Sequence, residues 1–292
     1  MENGIIELLK ISSQYLSEHG VESPRLDAEV LLADVLNTDR IGLYVNYDRP
    51  VSKEELSRYR TYIARRAQRI PGAYITGRKE FMSVDFCVED GVLIPRPDTE
   101  VLIDETVKFL NSRSLRAPKV LDLCTGTGAI ACSLAREFSE ATVVATDISE
   151  KAIAVARRNV ENLGLSRNMT VIQGDLYDAL TGMDDVRFDV IVSNPPYIPS
   201  CRIDALEPEV ARYEPRLALD GGEDGMDLII PILDRAHVFA PEGFVCIEIG
   251  DTEQADLTVN AMIERGMRDV RVVKDLAGLD RAVCGVVPQD NF

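Results

Sequence analysis

From Lys119 onward the chain alternates short apolar runs with helical stretches, and this alternation leaves few folds open. The runs fall at 120–124, 142–147, 170–174, 188–193, 243–249, 270–274 and 282–287. Each is too short for a helix, rich in strand-forming residues and nearly unbroken, as strands covered on both faces are. Helical patterns lie between most of them; the one at 151–163, for example, stops at Gly164. Strands joined by helices run parallel and cross over, which predicts a seven-stranded, doubly wound α/β sheet of Rossmann-like form. Only seven residues, Asp275 to Arg281, separate the last two runs, too few for a crossover helix, so the last strand is expected to be antiparallel.

The fourth run leads into Asn194-Pro195-Pro196-Tyr197. Each proline fixes φ and removes a backbone donor, so the turn is stiff and its carbonyls remain as acceptors. The residue before a proline is held extended, which restricts Asn194. The Asn194 side-chain oxygen and the Pro195 carbonyl can then accept both hydrogens of one NH2 group, and Tyr197 offers an aromatic face to the flat group that carries it. Such a site suits an amide or an exocyclic amine better than a carboxylate or a hydroxyl.

The first run ends in Asp122-Leu123-Cys124-Thr125-Gly126-Thr127-Gly128-Ala129. Glycines at a strand-to-helix turn let backbone approach a ligand closely. The second run ends in Asp147, 19 residues past Gly128, where a carboxylate can accept from a ribose diol. The span from Gly126 to Ala131 fits the dinucleotide pattern G-x-G-x-x-G/A, which serves NAD and S-adenosylmethionine alike. Three features favour the methyl donor: Asp122 ahead of the glycines, Gly174-Asp175 closing the third run, where an acid can accept from an adenine amine, and the Asn-Pro-Pro-Tyr turn, where a nicotinamide enzyme would need a proton relay.

The remainder of the chain divides into a helical bundle at 1–72 and a connector at 73–97, ahead of the core at 98–292; at 292 residues there is room for two domains. Ile5, Leu8, Leu9, Tyr15 and Leu16 follow a 3.6-residue period up to Gly20. Ser23-Pro24 opens a second helix to about Leu36. Ser52 with Glu55 forms a capping box for a third, to about Arg69, with room for a short helix between them. Pro71-Gly72 breaks the pattern. Residues 80–95 then read as a hairpin that turns at Glu89-Asp90-Gly91, and 99–110 as a helix.

The net charge of −17 argues against nucleic acid as the main partner. It is uneven: residues 1–70 hold 11 acidic and 10 basic side chains, and Arg58, Arg60, Arg65, Arg66 and Arg69 cluster there. That cluster reads either as a solvated helix face or as a docking surface for a large partner. Six cysteines without a CxxC pair fit a reducing cytoplasm, and two histidines leave little for a histidine-built metal site or triad. No apolar run is long enough to span a membrane, and Met1 to Lys10 do not read as a signal peptide.

Several blocks together resemble the peptide chain release factor glutamine methyltransferases (the HemK/PrmC type), a family of class I S-adenosylmethionine-dependent enzymes. They are the stretch from Leu93 to Glu100, the glycine turn, Ser193 to Ile198, Glu214 to Leu219 with Gly221-Gly222, and Lys274 to Arg281. The similarity spans essentially the whole chain. It implies S-adenosylmethionine as donor, held by Thr125, Gly126, Thr127, Gly128 and Asp147, with Leu176 against the adenine, Asp175 beside it and Asn194 shaping the same pocket. It implies Asn194, Pro195, Pro196 and Tyr197 as the substrate slot, with Asn194, Pro195 and Tyr197 carrying the chemistry. It further implies release factors as protein substrate, and a cytoplasmic monomer that needs no metal is expected; the bundle, separate from the donor pocket in sequence, nearly neutral and carrying the arginine cluster, is expected to dock the release factor. Two departures stand out: Cys124, where many members carry glycine, and Leu176, where some carry an aromatic. Arg96 and Glu100 are expected either at the mouth of the site or in plain salt bridges.

An amide nitrogen is a poor nucleophile, so the expected levers are orientation, exclusion of water and acceptors placed at the NH2 group. An N6-adenine nucleic-acid methyltransferase shares the Asn-Pro-Pro-Tyr turn, and a non-catalytic S-adenosylmethionine-binding adaptor shares the pocket. The acidic charge opposes the first, and the intact Asn194 and proline pair opposes the second.

Overall fold

The computed structural model describes residues 4–183 and 186–289, and the chain divides into two units. The first reaches Arg78 and takes in Glu207–Tyr213 from far along the chain; the second holds Lys79–Leu206 and the chain from Glu214 onward. The division falls at 78/79, inside the stretch read as a connector.

In the first unit, α1 (Ile5–Glu18), α2 (Pro24–Val35), α3 (Arg40–Val45), α4 (Lys53–Ala67) and α5 (Gly72–Thr76) follow one another. The capping box of α4 is complete: Glu55 N donates to Ser52 Oγ at 3.1 Å and Ser52 N to Glu55 Oε2 at 2.9 Å. Pro71 does not end the helical part; it caps α5. Ile5, Leu8, Leu9 and Leu16 of α1 are buried, with Leu31 and Leu32 of α2 and Tyr59 and Ile63 of α4. Tyr15, counted into the apolar stripe from its spacing, is exposed and lies against the His19 ring at 4.2 Å. Ser12 takes the buried place that the period offers.

β1 (Arg78–Phe81) starts at the last residue of the first unit and, with β2 (Val84–Cys87), opens the second. The hairpin turns at Met82-Ser83, both at positive φ (48° and 58°), and not at Glu89-Asp90-Gly91. The latter residues do form a turn, closed by Val92 N to Glu89 O at 3.2 Å. No strand follows, because Pro95 and Pro97 remove the donors a ladder would need. Phe81 of β1 and Phe86 of β2 are buried and meet edge to face at 6.1 Å.

Then come α6 (Glu100–Ser112), β3 (Lys119–Leu123), α7 (Ala129–Glu137), β4 (Thr142–Asp147), α8 (Glu150–Asn162), β5 (Met169–Gln173) and β6 (Val190–Ser193). After α9 (Pro208–Tyr213), which belongs to the first unit, follow α10 (Ile229–Phe239), β7 (Phe244–Glu248), α11 (Thr252–Glu264), β8 (Arg268–Lys274) and β9 (Asp280–Val286). The sheet order is β5-β4-β3-β6-β7-β9-β8. β3 to β7 pair parallel with one another, and β9 is antiparallel to both β7 and β8. The last strand thus enters between two others and is buried from Ala282 to Val286. β8, at the edge, alternates polar residues that suit an unpaired side. Apolar layers cover both faces of the sheet.

Within the first unit the arginine cluster is largely spent on internal pairs. Arg58 reaches Asp34 at 3.0 Å; buried Arg66 binds Asp27 at 2.6 Å and Glu209 of α9 at 2.8 Å; Arg69 binds Glu209 at 2.5 Å. A continuous positive docking face is therefore absent among these three arginines. Replacing Arg66 with methionine keeps its volume but strands two carboxylates. It should destabilise the first unit by about 3 kcal/mol, read as a lower urea midpoint by circular dichroism. An unchanged midpoint would show that the pairs contribute nothing.

Candidate active site

A cavity of about 530 Å3 opens at the carboxyl ends of β3, β4, β5 and β6, within the second unit. β4 and β6 flank β3, and the chain builds outward on one side of β3 before crossing to the other. That is the switch point where open α/β sheets bind ligands.

The β3–α7 turn carries Cys124, Gly126 and Gly128 at φ of 59°, 56° and 80°. Left-handed backbone favours glycine, which accounts for the departure at Cys124: it tolerates a conformation that costs a side chain roughly 1–2 kcal/mol. Cys124 lines the cavity, and its thiol is pushed up by burial and then by Asp147, so it stays protonated. The two glycines do different things. A Cβ on Gly126 would meet nothing within 4 Å, so its backbone lies open to a ligand; a Cβ on Gly128 would press on Ala156 at 3.3 Å, so that glycine serves the packing of α7 against α8.

Thr125, Thr127 and Gly128 do not line the cavity. Thr125 Oγ1 donates to Asp122 Oδ2 at 2.5 Å, and the Thr127 carbonyl accepts from Asn159 Nδ2 at 2.9 Å. They brace the turn from behind. Asp122 is also behind it: fully buried, it accepts from Ala131 N at 3.2 Å as well, and burial pushes its carboxyl up to about 7.

Asp147 stands on the wall at the end of β4. Its Oδ2 accepts from Gly126 N at 2.9 Å and its Oδ1 from Ser149 N at 2.8 Å. Burial raises its pKa and those two backbone bonds oppose the rise. Asp175 and Leu176 complete this side, after Gly174, where a Cβ would lie 2.7 Å from Ala179. The lining also includes Pro215, Leu217 and Ala218, from a block noted in the sequence but given no site role there.

Asn194 and Pro196 line the cavity; Pro195 and Tyr197 do not. Asn194 Nδ2 donates to Thr99 Oγ1 at 3.2 Å, which leaves the side-chain oxygen as the end to accept from a ligand. The Tyr197 ring is turned inward, packed against the core and Gly250, with its hydroxyl donating to Glu248 Oε1 at 3.2 Å. Burial pushes that hydroxyl's pKa up, with Glu248 adding to the rise. The backbone here is held very closely. Gln254 Nε2 donates to the Tyr197 carbonyl at 3.0 Å and to the Gly225 carbonyl at 2.9 Å, while its Oε1 accepts from Gly250 N at 2.8 Å. A Cβ at Gly225 would fall 2.2 Å from the Tyr197 carbonyl oxygen, and one at Gly221 2.8 Å from that of Pro196.

Thr99, Glu248 and Gln254 were not singled out from the sequence. A lone acid at the end of the apolar run 243–249 was the available signal for Glu248, since a buried carboxylate in a strand needs a reason. Arg96 and Glu100 are structural: Arg96 binds buried Glu214 at 2.5 Å, and Glu100 accepts from Met82 N at 3.1 Å.

Two family models match the chain, the PrmC N-terminal domain over residues 7–77 and the methyltransferase small domain over residues 99–206. A release factor glutamine methyltransferase of Geobacter sulfurreducens is 44% identical over 282 residues, 96% of each chain. One of Rhodopirellula baltica is 38% identical over 280 residues, 95% of this chain and 94% of its own. The crystal structure of a methyltransferase from Pyrococcus furiosus has the same fold, with a TM-score of 0.51 at 20% identity over 81% of this chain and all of that one. With such identity along nearly its whole length, and with a strand-end cavity to match, the chain belongs to the release factor glutamine methyltransferase family.

Proposed function

We propose that this protein transfers a methyl group from S-adenosylmethionine to the side-chain amide nitrogen (N5) of the glutamine in the Gly-Gly-Gln loop of peptide chain release factors. The observation that carries this reading is Asn194: it stands on the cavity wall with its NH2 engaged by Thr99 and its oxygen left to accept. A glutamine amide presents two N–H donors, which Asn194 Oδ1 and the Pro195 carbonyl would take. The proline pair keeps those acceptors rigid, and Glu248 and Gln254 hold Tyr197 and its backbone in place.

The cavity fits the donor. Asp147 can accept from a ribose diol, Gly126 leaves room for close approach, and Asp175 and Leu176 stand where an adenine would lie. Of the three carboxylates on the wall, Asp147 and Asp175 have no ion-pair partner among the described residues; they suit a cationic ligand and disfavour a pyrophosphate. The one arginine on the lining, Arg216, is paired with Asp220 at 3.0 Å. When bound, the donor supplies an electrophilic methyl on a sulfonium. The chain's own part is to fix the amide nitrogen in line, exclude water and place acceptors where positive charge develops on that nitrogen. Thr125, Thr127 and Gly128 act at one remove, by shaping the turn.

Recognition of a whole release factor is assigned to the first unit. With Arg58, Arg66 and Arg69 of the cluster internally paired, the docking surface is assigned to the exposed apolar side chains of α3 and its end, Ile41 (72% exposed), Val45 (70%) and Tyr47. The reading places a monomer in the cytoplasm; among the described residues no helix is long and apolar enough to cross a membrane. The net charge of −17 disfavours a nucleic acid substrate.

A labelled-methyl assay on purified release factor tests the proposal directly. Asn194→Ala should slow methylation by about 10²-fold with donor affinity little changed; a near-normal rate would remove Asn194 from the chemistry. Asp147→Ala should weaken the donor by about 1.5–3 kcal/mol in calorimetry, and unchanged affinity would move the ribose contact elsewhere. Ile41→Asp with Val45→Asp should lower kcat/KM on whole release factor roughly 10-fold while leaving a short glutamine peptide unaffected. An equal loss on both substrates would point to damage of the fold.

A further inference from the structure

α8 carries one buried amide, Asn159, which is 1% exposed and lies off the cavity lining. Asparagine is a weak helix former, and a buried amide must find partners. The partners of Asn159 are all backbone. Its Oδ1 accepts from Cys87 N at 2.8 Å, and its Nδ2 donates to the Cys87 carbonyl at 3.1 Å and to the Thr127 carbonyl at 2.9 Å. Both hydrogens of the amide are thereby used. Its orientation is fixed as well, because a reversed amide would set NH2 against the Cys87 N–H and oxygen against two carbonyls.

Each of these bonds leads to a wall of the cavity. Cys87 ends β2, and by both giving and taking a hydrogen bond there Asn159 stands in for a neighbouring strand. From Cys87 the chain runs on through the turn at Glu89 to Gly91, Val92 and Leu93, which line the cavity. Val92 is buried against Ala152 and Val155, which share a stripe of α8 with Asn159. Thr127 belongs to the glycine turn. In a trans peptide the carbonyl and the following N–H point opposite ways. A pinned Thr127 carbonyl therefore aims Gly128 N at the Thr125 carbonyl, which it meets at 2.9 Å. That bond closes the turn on which Gly126 lies open to a ligand.

We propose that Asn159 is a positioning residue for the methyl donor: one side-chain amide couples the glycine turn to the segment from Val88 to Leu93, and so sets two walls of the pocket before the donor enters. This rests on the reading of the cavity as the donor's. Asn159 does not touch the donor; it acts through the backbone at Gly126 and at residues 91–93, which line the cavity. Walls released from Asn159 would have to be ordered by the donor itself, and the apparent affinity falls with the fraction of molecules in which both are in place. Asn194 and the turn after β6 have their own supports in Thr99 and Gln254, so the transfer step is unchanged once the donor is bound.

The test uses two replacements in the full chain. Asn159→Leu keeps the shape and loses every bond; Asn159→Asp keeps the acceptor for Cys87 N but turns an oxygen toward two carbonyls. If the first does not fold, the second carries the same measurements. Calorimetry with S-adenosylmethionine should show affinity about 10-fold lower in each variant. The donor KM should rise in step, with kcat at saturating donor and KM for the release factor unchanged. Hydrogen exchange on the donor-free protein gives a readout independent of catalysis. Residues 87–93 and 124–128 should open together in the wild type, and faster and at separate rates in the variants. Near-normal affinity in Asn159→Asp, a fall in kcat as large as the change in affinity, or faster exchange in one segment alone would overturn the coupling. Asp147→Ala separates this from the reading beneath it. If that change weakens the donor while both Asn159 variants bind normally, only the coupling falls; if neither position affects donor affinity, the cavity is not the donor's.

Discussion

One side chain, Gln254, joins three stretches of backbone, at Tyr197, Gly225 and Gly250. It gives hydrogen bonds to the carbonyls of Tyr197 and Gly225 and takes one from the amide of Gly250. The turn after β6 has two prolines and so lacks the donors with which loops usually anchor themselves. Its anchorage must come from outside, and Gln254 supplies it from the first turn of α11. The glycines at 221, 225 and 250 go with this, since a Cβ would collide with the backbone of Pro196 or Tyr197 at the first two and be crowded by the Tyr197 ring at the third. The residues that touch a substrate can be few because the residues that hold them are many.

Behind the cavity lie two buried carboxyls, Asp122 at β3 and Glu248 at β7, both pushed up to about 7 by loss of water. Each has an oxygen without a good partner. Burying such groups is unfavourable, and both are placed where an acceptor of fixed direction is wanted. Asp122 tethers Thr125 and the start of α7, so the glycine turn keeps its shape. Glu248 receives the Tyr197 hydroxyl, so the turn after β6 keeps its own. The cavity lies between two rigid loops, each secured by an acid that no ligand need meet.

How much of this could be read from the sequence follows from the range of the interactions. The strands of the sheet were legible because burial on both faces writes itself into consecutive residues, and so were the α4 capping box and the antiparallel last strand. Asn194, Asp147, Asp175 and Gly126 were legible because each sits at a strand end, where a doubly wound sheet puts its ligand. The position of β9 between β7 and β8 was not, since nothing local distinguishes an inner strand from an edge one. Thr99, Glu248 and Gln254 are scattered along the chain and meet only through the sheet order. The arginine cluster looked like a surface because its partners, Asp27, Asp34 and Glu209, lie outside its own helix. The hairpin turn was misplaced by trusting a glycine: Met82-Ser83 reach left-handed backbone without one.

The excursion at Glu207–Tyr213 means that the two units are joined by more than a tether. The chain passes between them at 78/79, leaves the second again after Leu206 and returns at Glu214. The return point is at once fixed by Arg96 and continues into Pro215–Ala218 on the cavity wall. A catalytic core cut free at residue 79 would still carry α9, with Glu209 deprived of Arg66 and Arg69 and nothing to fold against. Domain shuffling by a single junction is therefore closed to this protein: any exchange of the N-terminal bundle, in evolution or in the laboratory, must carry seven residues of the catalytic half along with it.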